Sequence, residues 1–170
     1  NISAMAIGSG GTTITTDASS DITVTLVTSV GSLTVSQVGG GEFDFRSAVI
    51  GNSFTYNATG LASGGSLQIN SASISANVAL NYGDGLVAIV SAQVIDTVGS
   101  FTLSGGDLTS ANVVIQQITS EGAVSIDMGA ASGSLALSAI NTSSTFTLDV
   151  GAAPKLDVSS IETINASAAI

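Results

Sequence analysis

One short phrase recurs through the second half of the chain. A small or polar residue is followed by an apolar one, a variable one, a second apolar one and again a small or polar one. Its apolar pairs are Phe101/Leu103, Val113/Ile115, Val124/Ile126, Leu135/Leu137 and Phe146/Leu148. The sequence numbers of the first members rise in steps of 12, 11, 11 and 11. Alternation of this kind turns two side chains to one face of a strand and the residue between them to the other. Spacing this regular over five copies marks a stacked repeat, in which each unit buries its apolar face only against its neighbours.

The same phrase is found upstream as Leu33/Val35, Phe43/Phe45, Phe54/Tyr56, Leu67/Ile69, Val78/Leu80 and Val87/Ile89. The steps here, up to Phe101, are looser at 10, 11, 13, 11, 9 and 14. A further apolar residue (Leu108, Ile118, Met128, Ile140) follows most copies after a small or polar step, which reads as a turn between strands. Two 11-residue units make a coil of about 22. The predicted fold is therefore all-β, a parallel β-solenoid with about 22 residues per coil. Residues 1–170 form one solenoid domain, which continues into a longer array or pairs with a neighbouring subunit. The alternative is a β-sandwich pilin-like domain, whose strands have similar length and spacing. In that case the alternating stretch Ile22–Leu26 serves as a donated strand.

Composition excludes several functions. Of 170 residues only 8% are charged, the net charge is −10, and the two basic side chains are Arg46 and Lys155. Nucleic acid and anionic lipid are held by clusters of Lys and Arg, so neither is an expected partner. No apolar run reaches the roughly 20 residues of a membrane span. A hydrophobic content of 44% with little charge is the reverse of the disorder signature. Cysteine and histidine are absent, which removes thiolates and the commonest general base. No enzymatic activity is expected. The acidic balance and the Gly, Ser, Thr and Ala richness point to an extracellular setting.

Short polar residues follow the apolar pairs, among them Ser36, Asn57, Asn70, Asn81, Ser104, Asp127 and Asp149. Asn and Ser in such places satisfy turns and stack along a coil. Calcium is the sharper reading, since a hard cation gathers carboxylate and carbonyl oxygens. Asp84 and Asp107 lie in the Gly-rich stretches Gly83–Leu86 and Gly105–Leu108. Asp127 and Asp149 hold the same point of two phrases separated by one whole repeat of the pattern, which predicts that they stack one coil apart. These four aspartates are the candidate Ca²⁺ ligands.

Phe101–Ser104 and Leu135–Ser138, with the Gly-Gly-Asp turn at Asp107 and the closing Ile161-Glu162-Thr163-Ile164-Asn165, resemble the β-solenoid repeats of RTX-type bacterial S-layer proteins and related large surface adhesins. The resemblance implies a secreted protein that self-assembles into a cell-surface layer or filament, promoted by Ca²⁺. Its partners would be copies of itself and cell-surface polysaccharide. No complete Gly-rich nonapeptide of that family is present. An adhesin stalk segment, a strand-donating pilin-like fibre subunit and an ice-binding solenoid are the other functions considered. For the last, Thr34, Thr55, Thr102 and Thr147 hold the outward middle position of their phrases. Taken along the chain, the intervening phrases carry Asp44, Gln68, Ala79, Ala88, Val114, Ser125, Ala136 and Asp157 there, which predicts no threonine array.

Overall fold

A computed structural model describes residues 2–16, 21–38, 41–58, 66–83, 87–105, 110–129, 133–150 and 156–166, with the backbone alone at 87–89, 110–111 and 156–163. Every strand pairing among them is parallel. The chain is a parallel β-solenoid of about 23 residues per coil. A pilin-like sandwich would require antiparallel neighbours, so that alternative is overturned.

Two sheets wall the solenoid. The first has seven strands: β2 (Thr12–Thr16), β5 (Leu33–Gln37), β8 (Phe54–Ala58), β10 (Val78–Tyr82), β12 (Phe101–Gly105), β14 (Val124–Asp127) and β16 (Phe146–Asp149). The second has ten. Its longer members are β9 (Ser66–Ile74), β11 (Val87–Thr97), β13 (Ser110–Ser120), β15 (Gly133–Thr142) and β17 (Leu156–Ala166). Toward the N-terminus the same wall is built from short strands: β1 (Met5–Ile7), β3 (Ile22–Val24), β4 (Val27–Ser29), β6 (Glu42–Phe45) and β7 (Ala48–Ile50). Successive phrases alternate between the walls. Phe101, Val124 and Phe146 are register partners in the first sheet, while Val113 and Leu135 are partners in the second. The interval from one phrase to the next is thus half a coil.

Where the upstream spacing loosens, the register shows why. In β11 the residues aligned with Leu67 and Ile69 on one side, and with Val113 and Ile115 on the other, are Val90 and Ala92. Both are buried. The inward pair of this coil is therefore Val90/Ala92 rather than Val87/Ile89, and the predicted intervals of 9 and 14 become 12 and 11. Apolar identity alone misled here, because β11 is apolar at both frames and only its neighbours fix which one faces in.

The second sheet also bends. Inward residues there switch from a spacing of two to a spacing of three, as in Ile69 to Ala72, Ile115 to Ile118 and Leu137 to Ile140. No turn separates Ile118 or Ile140 from its phrase, since β13 and β15 run through both. In the early coils the bend breaks the strand. Val24 and Val27 both point inward, whereas Leu26 is 41% exposed. The stretch Ile22–Leu26 is thus a short strand, β3, paired with β6 and followed by a bend.

The interior is a continuous ladder of Leu, Ile, Val, Phe and Tyr. Each large side chain in it stabilises by about 1.5–3 kcal/mol relative to an exposed one. Phe43, Phe45 and Phe54 pack together at 4.7 and 5.5 Å between ring centroids. Tyr82, not singled out by the phrase, is buried 5.6 Å from Tyr56. Tyr56 donates its O–H to Gln37 Oε1, and Gln37 Nε2 donates to the Gly41 carbonyl, so the polar ends of this cluster have partners.

One edge of each coil closes in a tight turn. At Gly31, Gly51 and Gly122 a methyl group would lie within 2.9 Å of backbone in the coil below. Glycine is needed at these positions because backbone stacks on backbone there. The strand leading into the turn ends in a buried hydroxyl that reaches a turn carbonyl. Ser29 Oγ donates to Gly31 O at 2.8 Å, Ser120 Oγ lies 2.7 Å from Gly99 O, and Thr142 Oγ1 donates to Gly122 O at 2.6 Å.

Candidate functional site: the ranked polar face

Parallel pairing carries each outward position of the seven-stranded sheet straight to the next coil, about 4.8 Å away. Thr13, Thr34 and Thr55 are register partners in sequence, and the column continues through Ala79 to Thr102, Ser125 and Thr147. Five of these seven places are threonine, so the expectation of no threonine array holds only at Ala79 and Ser125, which interrupt the column. Asp44, Gln68, Val114 and Ala136 belong to the other sheet. Alternation along the chain had mixed two faces that the fold separates.

Two residues further along each strand runs a second column: Thr15, Ser36, Asn57, Asn81, Ser104, Asp127 and Asp149. These residues are strand positions facing outward, whereas the sequence reading placed them in turns. Asn81 Nδ2 donates to Asn57 Oδ1 at 2.8 Å, which bears out stacking of asparagines from coil to coil. The face they form carries hydroxyls and amides over its first five strands and carboxylates only at its last two.

Asp127 and Asp149 stand opposite each other in the register of β14 and β16, as their matching places in the repeat predict. Asp127 Oδ1 accepts the Gly129 N–H at 2.9 Å, and Met128 N–H donates to the Asp149 carbonyl at 2.8 Å. Calcium takes six to eight oxygens. Among the described residues no three acidic side chains gather at one place. Asp84 and Asp107 lie outside the described residues.

Asp44 departs from its expected exposed position. It is 8% exposed, with Oδ2 at 3.6 Å from Arg46 Nε and Oδ1 without a hydrogen-bond partner. Arg46, one of two basic residues, is thereby tied to the ten-stranded sheet. Among the described residues no helix is long and apolar enough to cross a membrane.

Comparison of the chain with protein-family models, curated proteins and solved structures gives no match.

Proposed function

We propose that this chain is an extracellular, non-catalytic structural protein that self-associates into a surface layer or filament, as the RTX-type S-layer and adhesin solenoids it resembles do. The observation that carries the reading is the ranked face of the seven-stranded sheet. It offers short neutral side chains in straight columns, a surface on which identical copies interdigitate with little desolvation of charge. Two copies related by a two-fold axis perpendicular to the solenoid axis would set the Asp127/Asp149 end of one against the Thr15/Ser36 end of the other, keeping carboxylates apart. The net charge of −10 opposes contact, so salt or Ca²⁺ promotes assembly by screening. The test is sedimentation and negative-stain electron microscopy in low salt, high salt, millimolar calcium and chelator. Growth of particles with salt or calcium, abolished by Thr102→Lys, is expected. Monomers in every condition, or assembly indifferent to Thr102→Lys, would overturn the reading.

The threonine column favours a second reading, an ice-binding surface. Methyl and hydroxyl groups repeated at strand spacing present water with a regular template. Thermal hysteresis of the dispersed protein, lost in Thr55→Lys, is its signature, and freezing without hysteresis removes it.

A further inference from the structure

The ten-stranded sheet carries a separate feature, used by neither reading above. Along its edge, beside the tight turns, two clefts lie end to end. One, of about 170 Å³, is lined by Ser73, Asp96, Val98, Thr119 and Glu121. The next, of about 180 Å³, shares Thr119 and Glu121 and adds Asn141, Ser143 and Asn165. Ser73, Asp96, Thr119, Asn141 and Asn165 are successive register partners, one from each of β9, β11, β13, β15 and β17. The clefts are therefore parts of one groove that runs along the solenoid axis over five coils.

We propose that this groove binds a linear glycan, neutral or amino-bearing, laid along the axis with about one sugar unit per coil. A ligand that follows the groove meets a new set of donors and acceptors about every 4.8 Å, close to the length of one sugar in an extended chain. An extended peptide advances about 3.3 Å per residue and falls out of step. The lining also suits hydroxyl-rich chemistry. Gln117 Nε2 donates to Thr119 Oγ1 at 3.2 Å, which leaves the Thr119 O–H to donate outward. Asn165 Nδ2 donates to Asn141 Oδ1 at 2.9 Å, holding both amides in line along the groove. Val98, 53% exposed, gives the C–H face of a sugar an apolar contact. Asp96 and Glu121 accept from hydroxyls or ammonium groups and repel carboxylates, so polyuronates are excluded.

Calorimetric titration with β-1,4-linked glucose, N-acetylglucosamine and glucosamine oligomers of two to eight units, and with oligogalacturonates, tests the assignment. Affinity for at least one of the first three series should rise with length and level off near five units, the number of coils lining the groove, while oligogalacturonates do not bind. Thr119→Ile, which touches both clefts, should weaken binding about tenfold or more. Thr25→Ile, at the exposed bend after β3 and outside both the groove and the ranked face, should leave it unchanged. Asp96→Asn should relax the discrimination against oligogalacturonates, a specificity readout that a loss of folding cannot imitate. No binding by any oligomer, affinity independent of length, or binding sensitive to Thr25→Ile rather than Thr119→Ile would overturn the proposal. Because the groove lies on the other sheet, these outcomes are independent of whether copies associate.

Discussion

Asn81 hands a side-chain N–H to Asn57 Oδ1, 2.8 Å away in the preceding coil. Both sit in a partly buried column, so the bond couples two coils as well as two residues. Asn81→Ala is expected to cost about 1 kcal/mol, the usual net worth of such a bond. Asn81→Asp, which sets an acceptor against an acceptor, should cost more at neutral pH than at pH 3. Urea unfolding at the two pH values checks both expectations.

Stacked backbone at the tight edge makes a second expectation. A methyl at position 122 would meet the Gly99 carbonyl carbon and oxygen at 2.8 Å and Ser100 N at 2.9 Å. None of these atoms can swing aside, so Gly122→Ala should destabilise by about 1–3 kcal/mol. Gly8→Ala meets nothing within 4 Å. It should be neutral or stabilise by about 0.4–1 kcal/mol through the unfolded chain. Thermal unfolding of the two variants side by side separates close approach from glycine content.

The buried tyrosines fix the behaviour in alkali. Burial pushes the phenols of Tyr56 and Tyr82 well above their ordinary pKa, and at Tyr82 the neighbouring Tyr56 adds to the rise. The folded state thus keeps protons that the unfolded chain releases from about pH 10. Stability is fully present below that pH and falls as pH rises, by about 1.4 kcal/mol per pH unit for each tyrosine. Denaturant unfolding at pH 9 and pH 11, with Tyr82→Phe showing a shallower decline, measures it. Equal stability at both pH values would contradict the burial of these rings.

Asp127 and Asp149 face each other across adjacent strands. Like charges so placed destabilise, by about 0.2–1 kcal/mol. Asp127→Asn preserves an oxygen for the Gly129 N–H and removes one charge. It should raise stability at low ionic strength, with the gain shrinking in high salt or millimolar calcium. A gain unchanged by either addition would show that the two carboxylates do not repel.

Much of this architecture is legible in the chain. Phe101/Leu103 and its copies announce strands, their spacing gives the coil, and Phe43, Phe45, Phe54, Tyr56, Phe101 and Phe146 are all buried as the phrase predicts. The alignment of Asp127 with Asp149 follows from the same count. Val90 and Tyr82 were not legible. Val90 sits in a run that is apolar in either frame, and Tyr82 lies one step beyond the apolar pair. Leu26 misled in the opposite sense, because the bend after Val24 turns a perfect alternation outward.

By itself the sequence determined short strands at a regular half-coil spacing, because period and side-chain alternation are local properties that repeat; it left a sandwich open until the parallel pairing excluded it. It could not say which phrases share a wall. Hydrogen bonds between coils link each strand to the one a full coil away, so alternate phrases part company, and Thr34, Thr55, Thr102 and Thr147 come to share one column. The axial groove has the same origin: Ser73, Asp96, Thr119, Asn141 and Asn165 each lie a full coil from the next along the chain, and only the stacking register makes them neighbours.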